Sequence, residues 1–496
     1  MTEGEIIGRY GHQLVVPVPH SLRWVVEHLA EASPLELAFL DKRVRETSSY
    51  RPPELEWLTI SPKELGDILT SASSSAELLG LASFHPSGYI RELALRRLTQ
   101  ITSGRELPFL LLRLNDWVAP VSDLALTAVQ GRITPQYADA FVRNILLVFN
   151  LAEQKRRQHG PMLSAVVELL RRPECSAALW QGLAVPEKQV RRLCFRILRE
   201  SDDGRLLEAV PQMLADADPV VRQAAAQTAR VALLDDALRV LLPLMKRDSF
   251  LPVRREALHA NLERFPELAP AELREALLDS SATMRGIARY HLGKSGDFNL
   301  PGFYRQVLAS SVLSSKLGAA LSGLGETGTA ADVGAILPYL SNPLVRVQRA
   351  AVRAVGRLDG DNHLDALLTA LADERPSVTH EAREALCPRL GLLDGDTLWR
   401  LFKTASKPHV RRDVLILLAS LPKWESVPFL VEAATDEDPM IQELAGKRLR
   451  GWYAGYNRSF VRPTQTQIER LEEALRANPG TGLEVLTNDW KAKNKI

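Results

Sequence analysis

At 496 residues the chain is too long for one hydrophobic core, so several domains or a repeat array are expected. Hydrophobic residues make up 46% and charged residues 25%, which excludes wholesale disorder. A formal charge of +2 supplies no strong global field, so bulk charge alone implies neither nucleic acid nor an acidic membrane.

Residues 1–80 contain two apolar helical stretches, Leu22, Trp24, Val25, Val26 and Leu29, then Leu55, Trp57 and Leu58. Ser33-Pro34 and Arg51-Pro52-Pro53 interrupt them. The segment carries more acidic than basic residues and lies outside the register described next. It is read as an atypical helical N-terminal cap. No basic region followed by an apolar stretch opens the sequence, so no signal peptide is expected. No run approaches the roughly 20 apolar residues that span a bilayer.

From residue 81 to 455 a short pattern, apolar-Arg-x-x-Ala, opens one helix after another. It stands as Ile90-Arg91 with Ala94, Val221-Arg222 with Ala225, Val253-Arg254 with Ala257, and Met284-Arg285 with Ala288. Looser copies are Val121-Ser122, Val190-Arg191, Ser315-Lys316, Val345-Arg346, Val378-Thr379, Val410-Arg411 and Ile441-Gln442. The second position recurs every 30 to 33 residues, with one gap of 69 between Ser122 and Arg191. That gap holds two units and a small insertion, with a degenerate copy near residues 150 to 172. A period this regular predicts an all-α array of about ten stacked helical hairpins. Asp218-Pro219, Asn342-Pro343 and Asp438-Pro439 supply helix-start chemistry, a capping side chain before a proline in the first turn. The small residue one turn into each motif helix lets neighbouring helices approach closely. Beyond residue 456, Thr466-x-x-Glu469 predicts a capped helix to about Arg476, followed by a polar tail.

Two stretches carry a resemblance. Leu324-Gly325-Glu326-Thr327-Gly328 with Leu337, and Asp218-Pro219-Val220-Val221-Arg222 with Ala225, resemble the short bacterial HEAT repeats first described in bilin lyases. The resemblance covers about residues 86 to 450. It implies a right-handed α-α superhelix of the HEAT/armadillo type, and it leaves the activity open. Such repeats serve as scaffolds, adaptors, lyase subunits and nucleic-acid binders.

No catalytic constellation stands out. Gly293-Lys294-Ser295 lacks the earlier glycine of a phosphate-binding loop, because Ala288 occupies that position and no strand precedes it. The histidines form no HxH or HxxxH pair, and Cys175, Cys194 and Cys387 lie far apart. No metal or cofactor is therefore expected, and a reducing, cytoplasmic compartment fits. The motif arginines read as a ladder between repeats, each pairing with a carboxylate or with helix-end carbonyls of the preceding unit. Basic residues that the repeat does not require are the candidate partner-binding residues: Arg156 and Arg157 in the irregular unit, and Arg192, Arg196 and Arg199 on one helical face. Trp452 and Tyr453 are the aromatic candidates near the end of the array. The expected function is a non-enzymatic scaffold or adaptor that binds a protein along a concave face. The alternatives are a nucleic-acid-binding solenoid and an accessory subunit of an enzyme complex.

Overall fold

The computed structural model describes residues 29–47, 63, 75–152, 158–201, 203–294, 296, 298–310, 314–455 and 461–479. Among these residues the regular structure is helical, with no strand. The chain divides into two compact units, residues 1–260 and 261–496.

In the first unit Ala76–Ala82 pairs with Gly88–Leu98, Leu107–Arg113 with Ala119–Gln130, Ser176–Gly182 with Lys188–Arg199, and Leu206–Leu214 with Pro219–Ala232. The second helix of each pair carries the motif. The tightest hairpin is thus an amphipathic helix, a short loop, and then a motif helix. Motif helices also pack side by side, Gly88–Leu98 on Ala119–Gln130 and Lys188–Arg199 on Pro219–Ala232. The gap in the register is filled by three helices, Ala138–Arg143, Ile145–Ala152 and Gly160–Leu170, one more than a hairpin needs. The helix Pro34–Thr47 packs on Leu107–Arg113 and Ile145–Ala152. There Asp41 forms a buried ion pair with Arg113, which also donates to the Ser83 carbonyl at 2.8 Å.

The second unit repeats the plan. Ala269–Ala276 pairs with Ala282–Gly293, Leu300–Ala309 with Ser314–Thr327, Leu364–Leu371 with Pro376–Leu386, and Gly395–Thr404 with Pro408–Leu418. Val333–Ile336 precedes Val345–Asp359, and Lys423–Ala433 pairs with Pro439–Gly455. The last helix, Gln465–Ala477, packs on Lys423–Ala433. It is capped by Thr464 with Gln467, two residues before the predicted Thr466, because Pro463 makes Thr464 the first residue able to cap a continuous turn.

The packing is that of HEAT-type hairpins. The small residues of the motif are buried: Ala94, Ala125, Cys194, Ala225, Ala257, Ala288, Ala382 and Ala445 are all 0% exposed. Where helices come closest even alanine is too large. A Cβ on Gly325 would lie 2.8 Å from the Ala354 Cα. The register thus selects side chains by the space between helices.

The motif arginines form the predicted ladder, with one difference. For Arg91, Arg191, Arg222 and Arg411 the carboxylate comes from the loop of the following repeat, whereas Arg285 takes Glu326 on the following motif helix. The carbonyls that Arg91, Arg191, Arg222, Arg254 and Arg285 bond come from the loop before the arginine's own helix. Arg191 bonds the Asp216 carboxylate through Nε and Nη2 at 2.7 and 2.9 Å, and donates from Nη1 to the Val185 and Pro186 carbonyls. Arg222 does the same with the Asp248 carboxylate and the Asp216 and Ala217 carbonyls. One aspartate therefore serves two arginines, one through its side chain and one through its backbone. The same carboxylate accepts the amide two residues on, as Asp216 does from Asp218 at 2.7 Å, which shapes the loop as an Asx turn. Arg91 with Asp116 and Arg411 with Asp436 extend the series. Burial opposes the charge of Asp116, Asp216 and Asp248, yet the arginine bonds hold all three carboxyls below their ordinary pKa.

One rung is shifted. At Val345-Arg346 the ladder position is Gln348, which donates to Asp373 at 2.6 Å, while Ala351 is the buried small residue. Sequence spacing favours the arginine. The helix instead turns Val347 and Gln348 inward and leaves Arg346 exposed.

Candidate interaction face

The motif helices of the second unit carry a second set of ion pairs that join neighbouring helices across their surface. Glu326, with its side chain 11% exposed, receives Arg285 at 2.5 Å, Arg289, and Arg357 at 3.7 Å. Glu381, on the helix Pro376–Leu386, receives Arg353 Nε at 2.7 Å and Arg349 at 3.3 Å. Asp413, on Pro408–Leu418, lies 3.6 Å from Arg383 and 3.5 Å from Arg412, and its Oδ2 is buried without a hydrogen-bond partner.

Each buried carboxylate is outnumbered. Seven arginines converge on three acids, and Arg346 stands exposed on the same side of the helix as Arg349, Arg353 and Arg357. Their spacing of three, four and four residues makes one stripe. Glu384 offsets part of this at Arg383. Glu326 holds Arg285, and Glu381 holds Arg353, by two bonds each, while Arg357 and Arg383 lie 3.7 and 3.6 Å from their acids, and the surplus positive charge faces outward. Side chains of Arg349, Arg353, Arg357 and Arg412 remain 40–52% exposed. Burial raises the Glu326 pKa, but the Arg285 and Arg289 bonds outweigh it and keep the carboxyl below its ordinary value. A preorganised row of planar donors can accept carboxylates or phosphates in bidentate fashion. Its sequence signal is an acid two residues after the ladder position, at Glu256, Glu381 and Asp413, with arginines on the preceding motif helix.

Of the residues singled out from sequence, Arg192, Arg196 and Arg199 share the helix Lys188–Arg199, and Trp452 and Tyr453 share the helix Pro439–Gly455. Arg192 is bound on both sides by the Asp218 carboxylate at 2.8 and 2.6 Å. Asp218 also caps its helix by accepting from Val220 and Val221. The Arg192 bond outweighs burial and holds its pKa down to about 2. Arg196 lies over the Phe149 ring at 4.9 Å, and Arg199 is exposed. Arg156 and Arg157 lie outside the described residues. Trp452 donates from Nε1 to the Lys423 carbonyl at 2.8 Å and meets Trp424 edge-on at 5.4 Å. Tyr453 is 49% exposed. Among the described residues no group of His, Cys, Asp and Glu could hold a metal ion, and no helix is long and apolar enough to cross a membrane.

No protein-family model matches the chain, and no curated protein matches it either. Solved structures do resemble it. The structure describing Kap95p binding to RanGDP matches at 13% identity, over 93% of this chain and 69% of that one, with a TM-score of 0.35. Kap121p bound to RanGTP matches at 14% identity, over 95% and 58% of the two chains, with a TM-score of 0.35. The C-terminal fragment of the Chaetomium thermophilum cohesin loader SCC2 matches at 14% identity, over 95% and 43%, with a TM-score of 0.31. These are likenesses of fold, at identities too low to carry function.

Proposed function

We propose that the chain is a non-enzymatic scaffold or adaptor, and that the arginine-lined motif-helix face of residues 261–496 holds a protein partner through an acidic segment. The supporting observation is the surplus of arginines over Glu326, Glu381 and Asp413, since a ladder built only for stability would match charge for charge. A partly exposed guanidinium row, held in part by buried acids, favours partner recognition, because the bound arginines have little side-chain entropy left to lose. The same reading includes Arg156, Arg157, Arg192, Arg196, Arg199, Trp452 and Tyr453 as lesser contacts, residues 1–80 as a cap, a cytoplasmic location, and kinship with the short bacterial repeats of the bilin-lyase type.

The test is co-purification from native lysate with the intact chain and with a variant carrying Arg346→Glu, Arg357→Gln and Arg412→Gln, which adds no carboxylate beside Glu326 or Asp413. The expected result is a protein partner held by the intact chain and lost from the variant, at an unchanged melting temperature. Recovery of the same proteins by both chains would sink the reading. Phosphates fit the same donors, so nucleic acid is the second reading. A gel shift with a short duplex or single strand that weakens steeply with salt, and disappears in the variant, would favour it.

A further inference from the structure

The helix Asp235–Lys246 differs from three of its siblings. In repeat register, the two positions facing solvent on Leu206–Leu214 are Glu208 and Gln212. On Ala269–Ala276 they are Ala271 and Glu275, and on Leu364–Leu371 they are Asp365 and Thr369. On Asp235–Lys246 the same positions hold Val240, 76% exposed, and Leu244, 50% exposed. Val231 at 73% and Leu234 at 79% are also exposed, before the start of this helix. Leu238, Leu242 and Met245 already fill the inward side of the helix, so Val240 and Leu244 are not needed for the repeat core. Exposed aliphatic side chains at i and i+4 on one helical face are costly in water, at roughly 25 cal/mol per Å² of apolar surface.

We propose that this face is a self-association surface, covered by the same helix of a second copy in antiparallel, two-fold contact. The argument for a second copy is charge complementarity along the helix. Its first turn is acidic, with Asp235 and Asp236, and its end is basic, with Lys246 followed by Arg247. A two-fold axis between Val240 and Leu244 sets Val240 of one copy against Leu244 of the other. With a rise of about 1.5 Å per residue, it also brings the exposed Asp236 within reach of the exposed Arg247 of the second copy. Antiparallel dipoles add to this arrangement. A parallel approach would oppose like charges at both ends. With few aliphatic anchors per copy, the contact falls at the small end of specific interfaces, below about 1,200 Å², so the dimer is concentration-dependent.

The experiment is sedimentation velocity of the full chain over a concentration series, with circular dichroism melts as a control for folding. The expected result is a mass that doubles with concentration. Val240→Glu with Leu244→Gln, which restores the residue types of the sibling helix Leu206–Leu214, is expected to weaken association at least about 10-fold without lowering the melting temperature. Asp236→Arg alone and Arg247→Asp alone should each weaken it. The two together should restore it, which a merely structural role would not do. A chain that stays monomeric throughout, whether bare or held by a different protein, overturns the proposal. So does a dimer indifferent to the Val240 and Leu244 changes, or a double charge swap that fails to restore association.

Discussion

Arg375 binds the carboxylate of Asp373, only two residues before it, through Nε at 2.8 Å and Nη2 at 3.0 Å. It thereby stands in for an arginine missing from the ladder. The rung position is Gln348, which reaches Asp373 with one bond and has no guanidinium for the preceding loop carbonyls. Arg375 turns its Nη1 to those carbonyls, Asn342 and Pro343, at 3.4 Å each. The loop keeps its donors from the other side.

This relationship makes a rescue experiment available. Arg375→Ala should destabilise the second unit by about 1–2 kcal/mol, because a partly buried carboxylate loses its charged partner. Gln348→Arg in that background should recover most of the loss. Chemical denaturation of the single and double variants measures the coupling, and simple additivity would contradict the substitution of one rung by the other.

Arg222 joins three loop groups of two successive repeats, the Asp248 carboxylate and the Asp216 and Ala217 carbonyls. Arg222→Ala should cost about 3 kcal/mol and lower the melting temperature. Arg222→Lys should recover only part of this, since an ammonium cannot form the planar fork. Equal stability of the lysine variant and the intact chain, in the same melts, would contradict the bidentate role.

Two carboxyls set an acid limit. Arg192 holds Asp218 to about 2, and Arg375 holds Asp373 to about 2, each against the opposing effect of burial. Their pKa is lower folded than unfolded, so the stability they contribute is present above about pH 4 and lost as pH falls toward 2. Each is worth on the order of 1–2 kcal/mol there. Asp218→Asn should flatten the acid limb of the stability curve and leave the curve above pH 6 parallel to that of the intact chain. Urea titrations at stepped pH read this directly.

Gly325 tests the helix spacing. A methyl group there meets the Ala354 Cα and Cβ at 2.8 and 2.7 Å, and backbone cannot swing aside as a long side chain does. Gly325→Ala should destabilise by about 1–3 kcal/mol, although alanine is the better helix former. Gly334→Ala, where nothing lies within 4 Å, should be neutral or slightly stabilising. Thermal melts of the two variants give opposite signs if close helix approach is the cause.

The repeat itself is legible in the order of the amino acids. A period of about 31 residues, a small residue one turn into each motif helix, and Asp-Pro starts all report local needs: a cap, a fixed φ, and a Cβ small enough for its neighbour. Local needs leave a mark at a fixed spacing. That is why the buried alanines and the cap at Asp218 stand in the places expected of them, and why the ladder arginines recur, although their carboxylates come from the following repeat and one rung falls on Gln348. Which carboxylate an arginine takes is not a local matter. By spacing alone Arg192 is available on its helical face, yet Asp218 holds it from 26 residues away. By spacing alone Arg349 and Arg353 are ordinary solvated residues, yet one buried glutamate of the next motif helix orients both. Tertiary structure alone decides those pairings, because charges are matched by distance in space while sequence records only distance along the chain.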